Sequence, residues 1–373
     1  MHNLNAIKTK IKQLAIEYGF QQANITDLNT SDYFPKFKDW VTKGNHGSMS
    51  FLERNQSLRQ FPASLHPNTQ RIISLRYDYL PDKIDFINQL EDSDKAYISR
   101  YALGRDYHKL MRKKLKALAE QIKQECSDLD YRVFVDSAPV LETCFAEKSG
   151  VGWKGKHTLI INKQAGSWFF LGEIFINLPL EVDLPVDNLC NECTSCLKIC
   201  PTQAIVAPYK VDARKCISYL TIENNGEIPI NLRRQMGNRI YGCDDCQLCC
   251  PWNRFASPSE DTDFSPRHDL DRESLLNLFS WSEEEFNNKL QGNPIRRIGF
   301  EKWQRNIAVA LGNSDYHKET VNALKNAKQN ASILVLKHIE WAIDELENKQ
   351  QLPSLPSQQK TKLLRTVRKI MPN

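Results

Sequence analysis

Nine of the eleven cysteines in this 373-residue chain lie between Cys190 and Cys250. The first group has the pattern C-x-x-C-x-x-C-x-x-x-C-P and comprises Cys190, Cys193, Cys196, Cys200 and Pro201. The second group comprises Cys243, Cys246, Cys249, Cys250 and Pro251, and Cys216 lies alone between the two. Each iron of a 4Fe–4S cube takes one thiolate, and this spacing is typical of a chain that binds two such clusters. The cysteines therefore predict a protein that transfers electrons one at a time.

Zinc is the main alternative ligand for any C-x-x-C pair. It takes four ligands, commonly from two separated pairs, whereas the first group crowds four thiolates into one loop. A disulfide framework is disfavoured because the chain is long and no export signal opens it. The spacing favours iron–sulfur clusters over both alternatives.

The spacing leaves part of the cluster ligation open. In either interpretation the first three cysteines bind cluster one, and Cys200 crosses to cluster two. A simple ferredoxin count assigns three more cysteines to cluster two, namely Cys243, Cys246 and Cys249. Cys250 then completes cluster one, and Cys216 is unused. The alternative assigns a different set to cluster two, namely Cys200, Cys216, Cys243 and Cys246. It keeps Cys250 on cluster one and leaves Cys249 as a small buried residue; spacing alone favours the first count.

Asp136 is the most interesting carboxylate, because it follows the predicted strand 131–135. One interpretation is that Asp136 or Ser137 simply caps the helix that follows. The other is a general acid, whose protonated form an apolar wall of strand residues would favour. A helix N-terminus would favour the anion instead, and the sequence leaves both interpretations open.

Gly150, Gly152 and Gly155 match the dinucleotide-binding pattern G-x-G-x-x-G as a string. They follow a predicted helix and precede a predicted strand, whereas a dinucleotide-binding loop follows a strand and opens a helix. We therefore reject nicotinamide binding. The loop predicts either a plain helix stop or, with its neighbouring Lys154, Lys156 and His157, a place where an anion could approach backbone amides.

Asp106 and His108 match the start of the D-x-H-x-x-G motif of proteins that bind cobalamin through histidine. Met111 occupies the glycine position of that motif. The sequence therefore gives no support for a histidine-ligated cobalt.

The elements around these residues predict an α+β protein. Residues 1–181 read as a mixed domain with helices at 4–18 and 108–125, strands at 71–77, 96–101, 131–135, 158–162 and 168–176, and a helix running from Ser137 to about Lys148. Residues 182–255 form the cluster domain, and 256–290 form an acidic connection. Residues 291–373 read as paired helices, including 303–311 and 332–346, with a basic helical tail at 360–369. Helix pairs of this kind resemble HEAT repeats, although two pairs are too few to establish a period.

The net charge of +5 is unevenly distributed along the chain. Residues 255–290 carry nine acidic and three basic side chains, whereas residues 291–373 carry fourteen basic and seven acidic ones. A basic C-terminal third favours a phosphate-bearing partner, and equally it is typical of a solvated helix face. With no apolar run long enough to span a membrane and no targeting segment, we expect a cytoplasmic protein that acts away from membranes.

Four stretches of the chain resemble the epoxyqueuosine reductases, the cobalamin-dependent iron–sulfur enzymes of queuosine synthesis in tRNA. They are RYALGRDYH at 100–108, DSAPVLE at 136–142, AEKSGVGW at 146–153 and YGCDDCQ at 241–247. The likeness extends over nearly the whole chain. It implies a cobalamin-binding domain distantly similar to reductive dehalogenases, a two-cluster ferredoxin domain and a HEAT-like tail that helps hold tRNA.

The resemblance also implies roles for individual residues. Asp136 is at the position of the family's proton donor. The positions that match cobalamin contacts are Arg59, Asp136, Ile160, Leu171, Ser218, Cys243 and Asp244. Together with the segment RKCISYL around Cys216, the family pattern implies that Cys200, Cys216, Cys243 and Cys246 hold cluster two and that Cys250 completes cluster one. The family has no cysteine at position 249, so Cys249 could compete with Cys250.

The implied activity is reduction of an epoxide to an alkene in a tRNA anticodon loop, with electrons from an unidentified low-potential donor and the protein acting as a monomer. The basic C-terminal residues Arg296, Arg297, Lys302 and Arg305 are then the expected tRNA backbone contacts. The alternatives are a dehalogenase-like reductase of a small molecule and a non-catalytic ferredoxin-type carrier. The basic tail disfavours the former, and the large N-terminal domain disfavours the latter.

Overall fold

The computed structural model describes residues 3–82, 85–351 and 358–370. By its internal contacts the chain divides into two compact units. Unit 1 comprises Met1–Leu80, Tyr107–Cys193 and Phe255–Pro258. Unit 2 comprises Pro81–Asp106, Thr194–Arg254 and Ser259–Asn373. Within the described ranges, no helix is long and apolar enough to cross a membrane.

The α-helices in chain order are α1 Leu4–Glu17, α2 Phe34–Thr42, α3 Ser50–Glu53, α4 Gln56–Gln60, α5 Phe86–Glu91, α6 Tyr107–Glu125, α7 Glu142–Lys148, α8 Ser195–Ile199, α9 Ile217–Ile222, α10 Ile230–Met236, α11 Asp245–Leu248, α12 Leu275–Ser280, α13 Glu283–Lys289, α14 Gly299–Asn313, α15 Lys318–Ala327, α16 Ile333–Gln351 and α17 Gln358–Ile370. The strands are β1 Gln22–Thr26, β2 Arg71–Asp78, β3 Tyr97–Ile98, β4 Tyr131–Phe134, β5 Trp153–Lys154, β6 Ile160–Ile161, β7 Phe169–Ile176, β8 Ile205–Ala207, β9 Lys210–Val211 and β10 Arg239–Tyr241.

Unit 1 is built on an antiparallel sheet with the strand order β1-β2-β7-β4. Strands β2 and β7 are central and almost entirely buried. The sequence of β7 is nearly continuously apolar, whereas β2 also buries Ser74 and Arg76. Successive residues of β7 face opposite sides of the sheet. Gly172 faces Met111 and Leu115 of α6, and a Cβ at this glycine would lie 2.8 Å from the Leu115 side chain. Phe175, three residues after Gly172, packs on the other face of the sheet with α7 residues such as Phe145.

Unit 2 is organised around α14, which is buried on nearly every side. Trp303, Ile307 and Leu311 form one apolar face of α14. The buried polar side chains Gln304, Arg305 and Asn306 are hydrogen-bonded to backbone oxygens. Helices α10, α12 and α16 pack against it. The parallel pair of β3 and β10 lies beside it, and β10 leads directly into the second cysteine group.

The predicted strands and helices are present, but one helix begins later than predicted and two strands are shorter. The sequence predicts a helix beginning at Ser137, but the helix begins at Glu142, with Leu141 as its N-cap residue. Residues 136–141 form an irregular loop, which opens at Asp136 with a left-handed backbone of φ +44°. The predicted strands 96–101 and 158–162 are shortened to two residues each.

Candidate active site and cysteine loops

Asp136 lies directly after β4 and Val135, in the loop that connects this strand to α7. Its backbone N–H donates to Oε1 of Glu142 at 2.6 Å, which closes the loop. Its φ of +44° is a conformation that costs a residue other than glycine about 1–3 kcal/mol and persists only where the surroundings impose it. The capping interpretation of Asp136 is wrong, since α7 begins six residues later and has no side-chain cap.

The carboxylate of Asp136 is held by the first two residues of α6. The Tyr107 hydroxyl donates to Oδ2 at 2.6 Å, and Nε2 of His108 lies 2.9 Å from the same oxygen. Tyr107 is fixed in turn by a parallel ring stack on Phe170, with centroids 3.9 Å apart. The Asp136 side chain nevertheless keeps 55% of its surface exposed. An exposed carboxyl oriented by a phenol and an imidazole can transfer a proton to a bound substrate.

Two further carboxyl groups lie behind the Asp136 loop. Glu142 is half-buried at the start of α7, and Glu173 is fully buried in the middle of β7. Burial, followed by the neighbouring Asp136 carboxylate, raises the pKa of Glu142 to about 8. Burial and the adjacent Glu142 likewise raise the pKa of Glu173 well above its ordinary range. This acid pair therefore retains protons at pH values where exposed carboxylates are ionised.

The sequence interpretation missed Tyr107, His108, Glu142 and Glu173 as members of this site. One signal was available for Glu173, which is the charged residue in the otherwise apolar run FFLGEIFI. An ionisable group in a buried strand requires a specific partner, but the sequence does not say which. His108 had been considered only as a cobalt ligand.

The other unit 1 residues that match cobalamin contacts fall in two places. Ile160 and Leu171 belong to one apolar cluster with Val151 and Phe169, so the structure brings these two together. Arg59 of α4 is separate from that cluster. Its guanidinium is buried, donates to the backbone oxygen of Arg54 at 2.8 Å and lies over the Phe37 ring.

The glycines at 150–155 stand between α7 and the β5–β6 hairpin, as the sequence predicts. A Cβ at Gly152 would lie 2.2 Å from the carbonyl oxygen of Ile161, so the close approach of the two backbones requires glycine here. Nδ1 of the buried His157 accepts from the Leu159 N–H at 3.2 Å. The local packing accounts for this loop without a ligand.

The first cysteine loop begins in unit 1. Cys190 is buried and Cys193 is exposed. The Cys193 N–H donates to the carbonyl of Cys190 at 2.9 Å. Nζ of Lys156 donates to the backbone oxygens of Asn191 and Cys193 and holds the turn closed.

The second cysteine loop, in unit 2, is fixed by Asp244. Its buried carboxylate accepts from the Tyr97 hydroxyl at 3.0 Å and the Arg100 N–H at 2.9 Å, and it also bonds the Ser99 hydroxyl. The preceding Gly242 has φ of +68°, and a Cβ there would lie 2.5 Å from Cβ of Ser99. The polypeptide that carries Cys243 is therefore fixed on both sides.

Asp245 supplies a second anchor for the same loop. It accepts two hydrogen bonds from Nη2 of Arg239, at 2.9 and 3.0 Å. Both partners are buried, and the positive charge of Arg239 also acts on Cys243.

Several cysteines of unit 2 interact electrostatically. Cys216 interacts with Cys200 and Cys243 with Cys216, whereas Cys246 interacts first with Cys249 and then with Cys216 and Cys200. Burial raises the pKa of Cys216, Cys243 and Cys246, so thiolates here need a nearby cation. Cys196 is a further neighbour of Cys246.

Backbone amides face several of these sulfur atoms. The Ala204 N–H lies 3.2 Å from Sγ of Cys200, and the amides of Ser218 and Tyr219 face Cys216. Ser218 itself is half-buried in the first turn of α9. Hydrogen bonds of this kind stabilise thiolates and influence the reduction potentials of clusters. In residues 3–82, 85–351 and 358–370, no group of three His, Cys, Asp or Glu side chains is arranged to hold a single metal ion. A 4Fe–4S cube differs from such a site, because each of its irons takes one thiolate.

The adjacent Cys249 and Cys250 differ in their surroundings. Cys249 is completely buried, and its thiol donates to the carbonyl of Cys246 at 3.5 Å. Cys250 is 6% exposed and begins the turn that leads to Asn253.

The predicted basic contacts of the C-terminal third are largely used within unit 2. Arg305 is fully buried, and its guanidinium donates to the backbone oxygens of Leu220, Asn224 and Gly226. The expectation that Arg305 contacts a phosphate backbone is therefore wrong. Lys302 bonds the backbone of Ile222. Arg297 pairs with Glu223, although its side chain, like that of Arg296, remains exposed.

Comparison with known proteins assigns the class first. Residues 189–253 match the family described as 4Fe-4S double cluster binding domain, so the cysteine loops belong to an iron–sulfur protein with two clusters. Residues 59–137, which end just after Asp136, match the family described as Epoxyqueuosine reductase QueG, DUF1730.

Curated relatives cover almost the entire chain. The epoxyqueuosine reductase of Escherichia coli is 50% identical over 99% of this chain and 98% of its own length. That of Pseudomonas aeruginosa is 52% identical over 89% of this chain and 92% of its own. The chain belongs to the epoxyqueuosine reductase family and is an oxidoreductase.

Solved structures agree with this assignment. An epoxyqueuosine reductase crystallised with an epoxyqueuosine-modified tRNA-Tyr stem loop matches at a TM-score of 0.82 and 25% identity, over 99% of both chains. The Streptococcus thermophilus enzyme matches at a TM-score of 0.81 and 27% identity, over 97% of this chain and 98% of that one. A Bacillus subtilis structure, described as having an aspartate catalytic loop swung out of the active site, matches at 0.83 and 25% identity over 99% of this chain and all of that one.

Proposed function

We propose that this protein reduces the epoxide of epoxyqueuosine in a tRNA anticodon loop to the alkene of queuosine, with Asp136 as proton donor. The observation that carries the proposal is the Asp136 carboxyl itself. It is exposed, and Tyr107 and His108 orient it. The loop that carries it has a left-handed backbone at Asp136, and helix capping does not explain that conformation.

The reaction converts an epoxide, two electrons and two protons into an alkene and water. Carbon–oxygen cleavage releases an alkoxide, which is a poor leaving group until it is protonated. Asp136 delivers a proton to that oxygen. The Tyr107 hydroxyl and the His108 imidazole then hold the carboxylate through Oδ2. General acid catalysis of this type contributes about 10²–10⁴-fold.

Bound cobalamin would supply a low-valent, nucleophilic cobalt, while the protein supplies binding, orientation and the proton. In unit 1 the apolar surface of Ile160 and Leu171 suits a flat, largely apolar macrocycle. Arg59 would contribute from a rigid, buried position. In unit 2, Ser218 and Cys243 are half-buried, and Asp244 would contribute through its backbone because its carboxylate is already fully bonded.

We assign cluster two to Cys200, Cys216, Cys243 and Cys246, and cluster one to Cys190, Cys193, Cys196 and Cys250. The interactions of Cys216 with Cys200, Cys243 and Cys246, together with the amides facing Cys200 and Cys216, support the inclusion of Cys216 in cluster two. Cys249 acts as a buried hydrogen-bonding thiol.

The tRNA partner is supported by the related enzyme crystallised with a tRNA stem loop. In unit 1, four exposed basic residues of α6 lie at i, i+3, i+4 and i+7, on one helix face: Lys109, Arg112, Lys113 and Lys116. This face begins beside His108, so phosphates flanking the target nucleotide would meet positive charge. The helices of residues 291–373 would add a HEAT-like surface. An external low-potential donor would reduce the clusters of a cytoplasmic monomer.

The decisive experiment is Asp136→Asn. Asparagine tolerates a left-handed backbone, so the loop conformation should persist while the transferable proton is lost. We expect turnover on epoxyqueuosine-containing tRNA to fall at least about a hundredfold, with iron content, cobalamin binding and tRNA affinity unchanged. Asp128→Asn, at an exposed position after α6, is the matched control. Near-normal turnover of the Asp136→Asn protein would remove Asp136 from the mechanism.

A further inference from the structure

The buried acids Glu142 and Glu173 are unexplained by the proton transfer itself. Glu173 lies in the centre of the sheet, between its register partners Ser74 on β2 and Phe134 on β4. Its carboxyl group interacts with Glu142 and with the Ser74 hydroxyl, and neither of these neighbours is a cation. A fully buried carboxyl group without a cation is costly, and its retention requires a reason.

The position of Glu142 supplies a reason. Its carboxyl group faces Glu173 on one side, and Oε1 accepts the N–H of Asp136 on the other. That N–H belongs to the residue with the left-handed backbone, so the bond acts at the strained point of the loop.

We propose that Glu142 and Glu173 form a protonated acid pair that holds the Asp136 loop in its strained conformation and thereby positions the proton-donating carboxyl. Glu142 is the positioning residue, and Glu173 supports it from the sheet. This inference rests on the proposed role of Asp136, but it concerns the conformation of the loop and can be measured without turnover.

The pair makes the loop sensitive to alkaline pH. The charged and titratable groups that face Glu142 are Asp136 from its own loop, His108 from α6 and Glu173 from β7. Burial raises the pKa of Glu142 from 4.5 to about 8. The stabilisation from the protonated form is therefore complete below pH 4.5 and is lost as the pH rises through about 8. Above that pH, an ionised Glu142 faces the Asp136 carboxylate, and the two negative charges repel each other.

The test compares Glu142→Ala with Glu142→Gln in the full-length protein. Glutamine cannot ionise, and its side-chain oxygen still accepts the Asp136 N–H, whereas alanine removes the acceptor. For Glu142→Ala we expect faster hydrogen–deuterium exchange across residues 136–141 and a kcat about tenfold lower, with tRNA affinity unchanged. For Glu142→Gln we expect wild-type exchange and kcat at pH 7 and loss of the exchange increase that the wild-type shows above pH 8.

Glu147→Ala is the control, because Glu147 lies on the same helix and accepts a different backbone N–H, that of Lys154, at 3.0 Å. Exchange across 136–141 should be unaffected in this variant. Wild-type exchange in Glu142→Ala, or equal damage in Glu142→Gln and Glu142→Ala, would overturn the proposal. If Asp136→Asn retained full turnover while the exchange results held, the role of Asp136 in catalysis would fail and the acid pair would stand.

Discussion

Buried aspartates and glutamates occur at both the Asp136 loop and the Cys243–Cys246 loop, but the groups that surround them differ. Behind Asp136, acids face acids, and His108 is the cationic group among the neighbours of Glu142. At the cysteine loop, Asp244 accepts three hydrogen bonds and Asp245 pairs with Arg239. The first arrangement retains protons, whereas the second fixes a backbone. A site that transfers protons needs groups close to a change of ionisation, and a cluster site needs ligands that do not move.

The largest effect should come from removing a ligand of the rigid region. Cys216→Ala should lose about four of the eight irons expected for two cubes, because cluster two would lack a corner. Turnover should fall with it, since electrons would have no path through that cluster. Iron analysis and the electron paramagnetic resonance of the reduced protein measure this.

Cys249→Ala is the matched control for Cys216→Ala, and it should retain nearly all of its iron. Its buried thiol bonds the Cys246 carbonyl and is not a cluster ligand in the proposed assignment. If Cys249→Ala lost the cluster and Cys216→Ala kept it, the simple ferredoxin count would be correct.

Removal of the Asp244 carboxylate should have the next largest effect. Asp244→Ala leaves the Tyr97 hydroxyl, the Ser99 hydroxyl and the Arg100 N–H buried without their acceptor. Loss of one partner from a buried charged network costs about 3–5 kcal/mol of unfolding free energy. Thermal unfolding and iron content should both decrease, while Asp344→Ala, at an exposed position of α16, should change neither. Equal stability of the two variants would show that the cysteine loop does not depend on Asp244.

The exposed basic face of α6, which begins beside His108, predicts a salt-dependent contact with tRNA. Lys109→Glu combined with Lys113→Glu should weaken tRNA binding by about tenfold or more at low salt and reduce the dependence of affinity on salt concentration. The same reversal at Arg296 should have a smaller effect, because it changes one exposed cation rather than two and Arg305 is buried away from phosphate. Titrations at two salt concentrations measure both. Unchanged affinity in the α6 variant would place the binding surface elsewhere.

Much of this organisation was predictable because it depends on short-range patterns. The cluster cysteines follow from their spacing, and α6, β2 and β7 follow from apolar periodicity. The conformation of the Asp136 loop could not be predicted in this way. The residues Ser137, Ala138 and Pro139 are typical of a helix start, and only the hydrogen bond from the Asp136 N–H to Glu142 shows where the helix begins. Arg305 was misassigned for a similar reason. Its carbonyl partners lie about eighty residues earlier, and no local pattern connects the two segments.

The smallest predicted effects concern two buried histidines, one in each unit. His157 in unit 1 and His338 in unit 2 are both buried, and burial lowers the pKa of each from 6.5 to about 4. Each stabilisation is complete above pH 6.5 and is lost as the pH falls through about 4. A shift of this size corresponds to roughly 3 kcal/mol for each group. Both units should therefore lose stability between pH 6.5 and 4.

The two histidines differ in their partners, so their replacements should differ. Nε2 of His338 accepts the Ile228 N–H at 3.1 Å and Nδ1 bonds the Leu334 carbonyl, so His338→Asn leaves buried groups unpaired and should cost about 2–3 kcal/mol at pH 7. His157 uses Nδ1 alone among the bonds described, and an asparagine oxygen can also accept an N–H two residues later. His157→Asn should therefore cost about 1 kcal/mol at pH 7 and gain relative stability at pH 4.5. Urea unfolding at the two pH values measures both effects. An acid sensitivity unchanged by His157→Asn would mean that unit 1 loses its stability through its carboxylates rather than through this imidazole.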